Sequence, residues 1–86
     1  MIFLKKTLDE LQLKIGDALK KDEIVVDSIT YEVRGKYNFL TVTLDKVGGI
    51  DLETIVDATK VVNEIVDKVS ITSDSYILDV VSKERG

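Results

Sequence analysis

The spacing of apolar residues switches between two periods along this chain, and that succession restricts the fold more than any single motif does. Leu8, Leu11, Ile15 and Leu19, with Ala18 beside them, recur at helical spacing, while Asp9, Lys14, Asp17 and Lys20 fall elsewhere on the cylinder. Thr7 and Glu10 have capping-box spacing and predict the helix start, and Leu4 extends the stripe if the helix begins earlier. Lys20 and Lys21 then fall in the last turn, where cations offset the negative end of the helix dipole. From Ile24 to Val33 the pattern is β-branched and alternating, with Val25, Ile29, Tyr31 and Val33 set against Ser28, Thr30 and Glu32. Arg34-Gly35-Lys36-Tyr37-Asn38 interrupts it, and Phe39-Leu40-Thr41-Val42-Thr43-Leu44 alternates again. A loop this short predicts a hairpin with Leu40, Val42 and Leu44 on its buried face.

Helical spacing then returns. Asp45-Lys46-Val47-Gly48-Gly49 breaks the strand, Gly48 and Gly49 supply a structural turn, and Asp51 is a good N-cap. Ile50 before the cap is placed to staple onto Ile55. Leu52, Ile55, Val56, Thr59, Val62, Val66 and Val69 form the apolar stripe of a helix whose valines are weak helix formers, so packing has to hold it. Residues 70–75 read as a polar turn, and Tyr76-Ile77-Leu78-Asp79-Val80-Val81 as a last strand with Tyr76, Leu78 and Val80 on one face. Lys83-Glu84-Arg85-Gly86 should fray.

The order α-β-β-α-β predicts an α+β fold in two layers, two helices packed on one face of a three-stranded sheet. At 86 residues, with no proline, repeat or low-complexity stretch, residues 1–86 read as a single domain. The sheet's other face is left more open, and simple alternation puts Val26, Ile77 and Val81 there. Scattered apolar side chains are ordinary on any surface, which is the plainer explanation of those three.

Several chemistries are excluded or disfavoured. The chain has no His and no Cys, so the usual nucleophilic triads, thiolate metal sites and disulfides are out of reach, and no cofactor is expected. Carboxylate pairs such as Asp74 with Asp79, or Asp22 with Glu23, lack both a proton carrier and a calcium-loop pattern, and read as solvated charge. Gly48-Gly49 resembles a phosphate cradle only superficially, since the Gly-rich spacings are missing and Asp51 already occupies the anion position. A net charge of −4 disfavours a stand-alone nucleic-acid binder. No apolar stretch approaches a membrane span, the start is not a signal peptide, and a cytoplasmic protein is the default.

Asp45-Lys46-Val47-Gly48-Gly49-Ile50-Asp51-Leu52-Glu53, the helix carrying Thr59-Lys60 and ending Ile65-Val66-Asp67, and the strand Tyr76-Ile77-Leu78-Asp79-Val80-Val81-Ser82 together resemble the N-terminal domain of the RimP ribosome maturation factors. Val26-Asp27 resembles the Val-Asp of that family's first strand, so the likeness runs from about Ile24 to Ser82. The family continues from its Ser-Pro-Gly into an Sm-like β-barrel, whereas Ser82 here leads into Lys83-Glu84-Arg85-Gly86, so the expectation is an N-terminal domain lacking the second one. The resemblance implies a non-catalytic role in maturing the small ribosomal subunit, through a ribosomal protein and, secondarily, rRNA, with no small-molecule substrate. KH domains share the layout, but their RNA clamp is a Gly-x-x-Gly loop between helices, and Gly48-Gly49 lies between a strand and a helix, so KH-type binding is not carried over.

Candidate contact residues follow. Arg34, Lys36 and Tyr37 gather two cations and a ring on the hairpin tip, a combination suited to phosphate and base contacts. An ordinary soluble tip is the commoner meaning of such a trio. Lys60 matches the cation of the family's helix and also stands at i, i+4 spacing to Glu64. The expected behaviour is that of a binding module, monomeric or weakly dimeric, that meets a basic ribosomal protein. The competing expectation is a structural or homo-oligomerisation domain with no ribosomal role.

Overall fold

The computed structural model describes residues 2–69 and 76–83, with side chains from residue 6 onward. Its order is α1 (Ile2–Leu19), a 3-10 turn (Lys20–Asp22), β1 (Val25–Arg34), β2 (Tyr37–Asp45), α2 (Leu52–Lys68) and β3 (Ile77–Ser82). The expected polar turn over residues 70–75, and most of the tail expected to fray, lie outside the described residues. Two helices and a mixed three-stranded sheet in this order make the α+β fold expected from the periodicities.

β2 is the central strand. β1 pairs with it antiparallel through the hairpin, and β3 pairs with its other edge in parallel, the crossover being made by α2. A parallel neighbour needs a connection long enough to carry the chain back, and α2 supplies it. Composition explains the centre: Leu40, Val42 and Leu44 are buried, whereas β1 and β3 contribute partly buried residues only. All three point to the same face. There they meet Leu11, Ile15 and Leu19 of α1, Ala58, Val62 and Val66 of α2, and Ile24 from the turn before β1.

The termini of the elements have local causes. Helix α1 starts at Ile2, so Thr7 lies inside it and the Thr7-Glu10 pair is not its cap. Leu4 stands one turn before Leu8, so the helical repeat continues upstream in the sequence and the longer helix wins over the local signal. The helix ends at Leu19, which places Lys20 and Lys21 in the 3-10 turn instead of a last α-turn. Glu23 closes that turn in the left-handed region (φ 62°, ψ 27°), its N–H donating to the Lys20 carbonyl at 2.9 Å.

The hairpin loop is tighter than the sequence suggests. Arg34 pairs directly with Tyr37, so only Gly35 and Lys36 turn the chain, with Gly35 at φ 61° in the first central position, the signature of a II′ turn. After β2, Gly49 N–H donates to the Lys46 carbonyl at 2.9 Å across Gly48 at φ 88°. A side chain at Gly48 would be strained there. Asp51 then caps α2, its Oδ1 accepting from Thr54 N–H at 2.8 Å.

Three expectations about facing are corrected. β1 carries a bulge between Val26 and Ser28, so Val26 stands opposite buried Leu44 and packs against the core, not on the open face. One extra residue reverses the alternation. For the same reason Val25 faces solvent, 58% exposed. Val33 keeps its predicted side but lies exposed at the hairpin tip, opposite Asn38. In α2 the buried line runs through Ala58, Val62 and Val66, with Ile55, Val61 and Ile65 flanking it, while Leu52 and Val56 are exposed.

Candidate interaction surface

Among the described residues, one face of the sheet has a layer of helices over it and the other has none. The register reads that second face directly: Arg34, Glu32, Thr30 and Ser28 on β1 stand beside Tyr37, Phe39, Thr41 and Thr43 on β2, with Ile77, Asp79 and Val81 on β3. The bulge fixes which β1 residues appear here, and the parallel register brings Ile77 level with Phe39. Ile77 and Val81 are therefore where alternation puts them.

The face is not uniform. Its middle is hydroxyl-rich, with Thr30, Thr41, Ser28 and Thr43 in two adjoining rows. The hairpin end is aromatic and cationic. The Arg34 guanidinium lies 5.5 Å from the centroid of the Phe39 ring, and the Tyr37 and Phe39 rings are 6.5 Å apart with a 53° tilt. Both spacings are within the attractive range for cation-π and edge-inclined ring pairs. Arg34 also forms an ion pair with Glu32 at 2.9 Å. That pair is exposed and worth roughly 0.2–1 kcal/mol. The same guanidinium makes both contacts, so Arg34, Tyr37 and Phe39 form one cluster with Ile77 at its edge.

Of the sequence candidates, Arg34 and Tyr37 come together in this cluster. Lys36 sits in the two-residue turn beside them and is exposed. Lys60 is exposed on α2, in the opposite layer, and takes no part in the cluster. Lys14 pairs with Glu10, Arg34 with Glu32 and Lys83 with Asp27, whereas among the described residues no ion pair joins Lys60 to Glu64. Phe39 is the residue sequence reasoning missed as a contact candidate. The signal was present: Tyr37 and Phe39 are two apart in a strand and so share a face opposite to Leu40 and Val42.

Gly48, Gly49 and Asp51 do their work in the connection. Hydrogen bonds from the Thr54 side chain and N–H, with the charge of Lys46 nearby, hold the Asp51 carboxyl below the usual carboxylate range. On the helix-covered side, burial pushes the Tyr76 phenol upward, and Asp67 and Tyr31 add to it. Neither group has the setting of a proton-transfer site. Among the described residues no cluster of acidic side chains is arranged to hold a metal ion, and no helix is long and apolar enough to cross a membrane.

A comparison with protein families matches residues 14–83 to the model described as the RimP N-terminal domain. The match takes in the sheet, α2 and the C-terminal part of α1.

Proposed function

The chain belongs to the RimP N-terminal domain family, which relates it to the ribosome maturation factors, and from that premise we propose that it is a non-catalytic module that binds a component of the small ribosomal subunit in the cytoplasm. The partner is a basic ribosomal protein, with rRNA as a secondary contact. The single observation that carries this reading is the uncovered sheet face, whose hairpin end holds Arg34, Tyr37 and Phe39 in one cluster. Aromatic rings supply contact area at little entropic cost, and tyrosine and arginine are enriched at interface hot spots. The net charge of −4 raises the encounter rate with a cationic partner, because opposite fields attract, while Arg34 and Lys36 at the hairpin end suit the phosphates of the secondary rRNA contact.

Co-sedimentation of the chain with purified small subunits, and with their isolated proteins, tests the reading. Binding is expected at moderate salt, with Tyr37→Ala and Phe39→Ala weakening it by roughly tenfold or more, as loss of a hot-spot ring does. Absence of binding to the subunit and to each of its proteins refutes it. A tight dimer in sedimentation equilibrium that dissociates on Phe39→Ala assigns the face to self-association instead.

A further inference from the structure

A second surface, on the opposite layer and independent of the reading above, starts from a glycine that the fold does not need. Gly16 lies inside α1, where glycine lowers helix stability relative to alanine. Helix glycines are usually accounted for by close packing, yet a Cβ built at Gly16 meets nothing within 4 Å. Its backbone is not in the left-handed region either. The space left by the missing side chain belongs to a groove of about 530 Å³ between α1 and the start of β1. Leu13 and Val25 form its rims and Ile24 and Val26 its apolar floor. Leu13 is 76% exposed and Val25 more than half exposed, so the rims present large apolar groups that the core does not use.

The groove runs beside an outer strand. Among the described residues β1 pairs with β2 alone, so the backbone groups along its other edge face no described strand. A trough bounded by a helix on one side and an open strand edge on the other fits an extended chain, which adds to the edge and drops alternate side chains into the trough. The bulge between Val26 and Ser28 limits how far such a ladder runs. Charge selects the sign of the occupant. Asp17 and Glu23 line the trough against Lys20 alone, and the chain as a whole carries −4.

We infer that this groove docks an extended polypeptide segment of a partner, with an apolar side chain seated over Gly16 and lysine or arginine beside it facing Asp17 and Glu23. The probe is a short acetylated peptide alternating lysine with valine and leucine, titrated into the full chain and followed by amide chemical-shift mapping. Saturable binding is expected, with shifts concentrated at residues 12–26. The glutamate counterpart of the peptide, and the Gly16→Val variant that fills the groove, should each bind roughly tenfold more weakly or worse. Thermal unfolding of Gly16→Val at or above the parent midpoint excludes misfolding as the cause. Gly16→Ala is the second variant if valine disturbs the helix.

Tyr37→Ala, on the other face, should leave peptide affinity unchanged, which separates this inference from the proposed ribosomal contact. No saturable binding, equal affinity for the acidic peptide, or shifts confined to the sheet's open face overturns the proposal. So does self-association abolished by Gly16→Val, since the occupant is then a second copy.

Discussion

Leu11 and Leu13 are two residues apart on α1 and chemically identical, but one is fully buried and the other 76% exposed. Truncating Leu11 to alanine removes three carbons from a site enclosed by both helices and β2. At about 0.8 kcal/mol per buried methylene the transfer loss is about 2.4 kcal/mol, and an unfilled cavity raises the total to roughly 3–4 kcal/mol. Neighbours at such full burial leave little room for collapse, so the upper part of that range applies. Leu13→Ala removes little burial and exchanges two good helix formers, so its effect stays within about 0.5 kcal/mol. A domain of this size has roughly 4–13 kcal/mol in all, so the first substitution removes a large fraction. Urea unfolding reads the difference: with a slope of roughly 1.5 kcal/mol per molar, Leu11→Ala lowers the midpoint by about 2.5 M at an unchanged slope. Equal midpoints for the two variants, or a Leu11→Ala loss under about 1 kcal/mol, would refute the facing of α1 and the core built on it.

Gly16→Ala should raise stability by about 0.5–1 kcal/mol, because a methyl group there meets open space and alanine is the better helix former; a lowered thermal midpoint contradicts the packing at that position. Glu23→Gly relieves a left-handed conformation that costs a side-chain-bearing residue roughly 1–2 kcal/mol, less the greater unfolded-state freedom of glycine, and should raise stability by up to about 1 kcal/mol, seen as a higher urea midpoint; a lowered midpoint contradicts it. Asp51 links α2 to pH: its folded pKa is depressed, so its contribution is complete above the unfolded pKa and is lost as pH falls through the folded one. Asparagine caps without titrating, so Asp51→Asn should show a smaller fall in urea midpoint than the parent between about pH 5 and pH 2, and an equal fall removes the assignment.

Periodicity carried most of the architecture. The switch from helical to alternating spacing marked each element, and the diglycine followed by Asp51 marked the start of α2 to the residue, because a turn glycine and an N-cap are local devices that leave a local trace. Strand facing was legible only as far as strict alternation lasts. The bulge at Asp27 has no sequence mark of its own, so Val25 and Val26 exchanged sides while Ile29 and Tyr31 did not. In α2 the apolar arc is wide enough to fit more than one orientation. The choice of Ala58 over Leu52 and Val56 depends on how α1 and the sheet share the space, which is a tertiary matter. The cluster on the open face was half legible: Arg34 and Tyr37 were visible as a tip, whereas Phe39 looked like one more strand residue until the register placed it under the guanidinium.

The parallel pairing of β3 has a consequence for the order in which the molecule assembles. β2 meets its first neighbour across a two-residue turn, but its second only after all of α2 has been traversed. Loop closure therefore favours the hairpin as the early event and makes docking of β3 the late one. During synthesis from the N-terminus, the central strand spends that interval with one edge free and with Leu40, Val42 and Leu44 still waiting for α2. The vulnerable period in the life of this protein is thus the time between completion of the hairpin and arrival of the last strand.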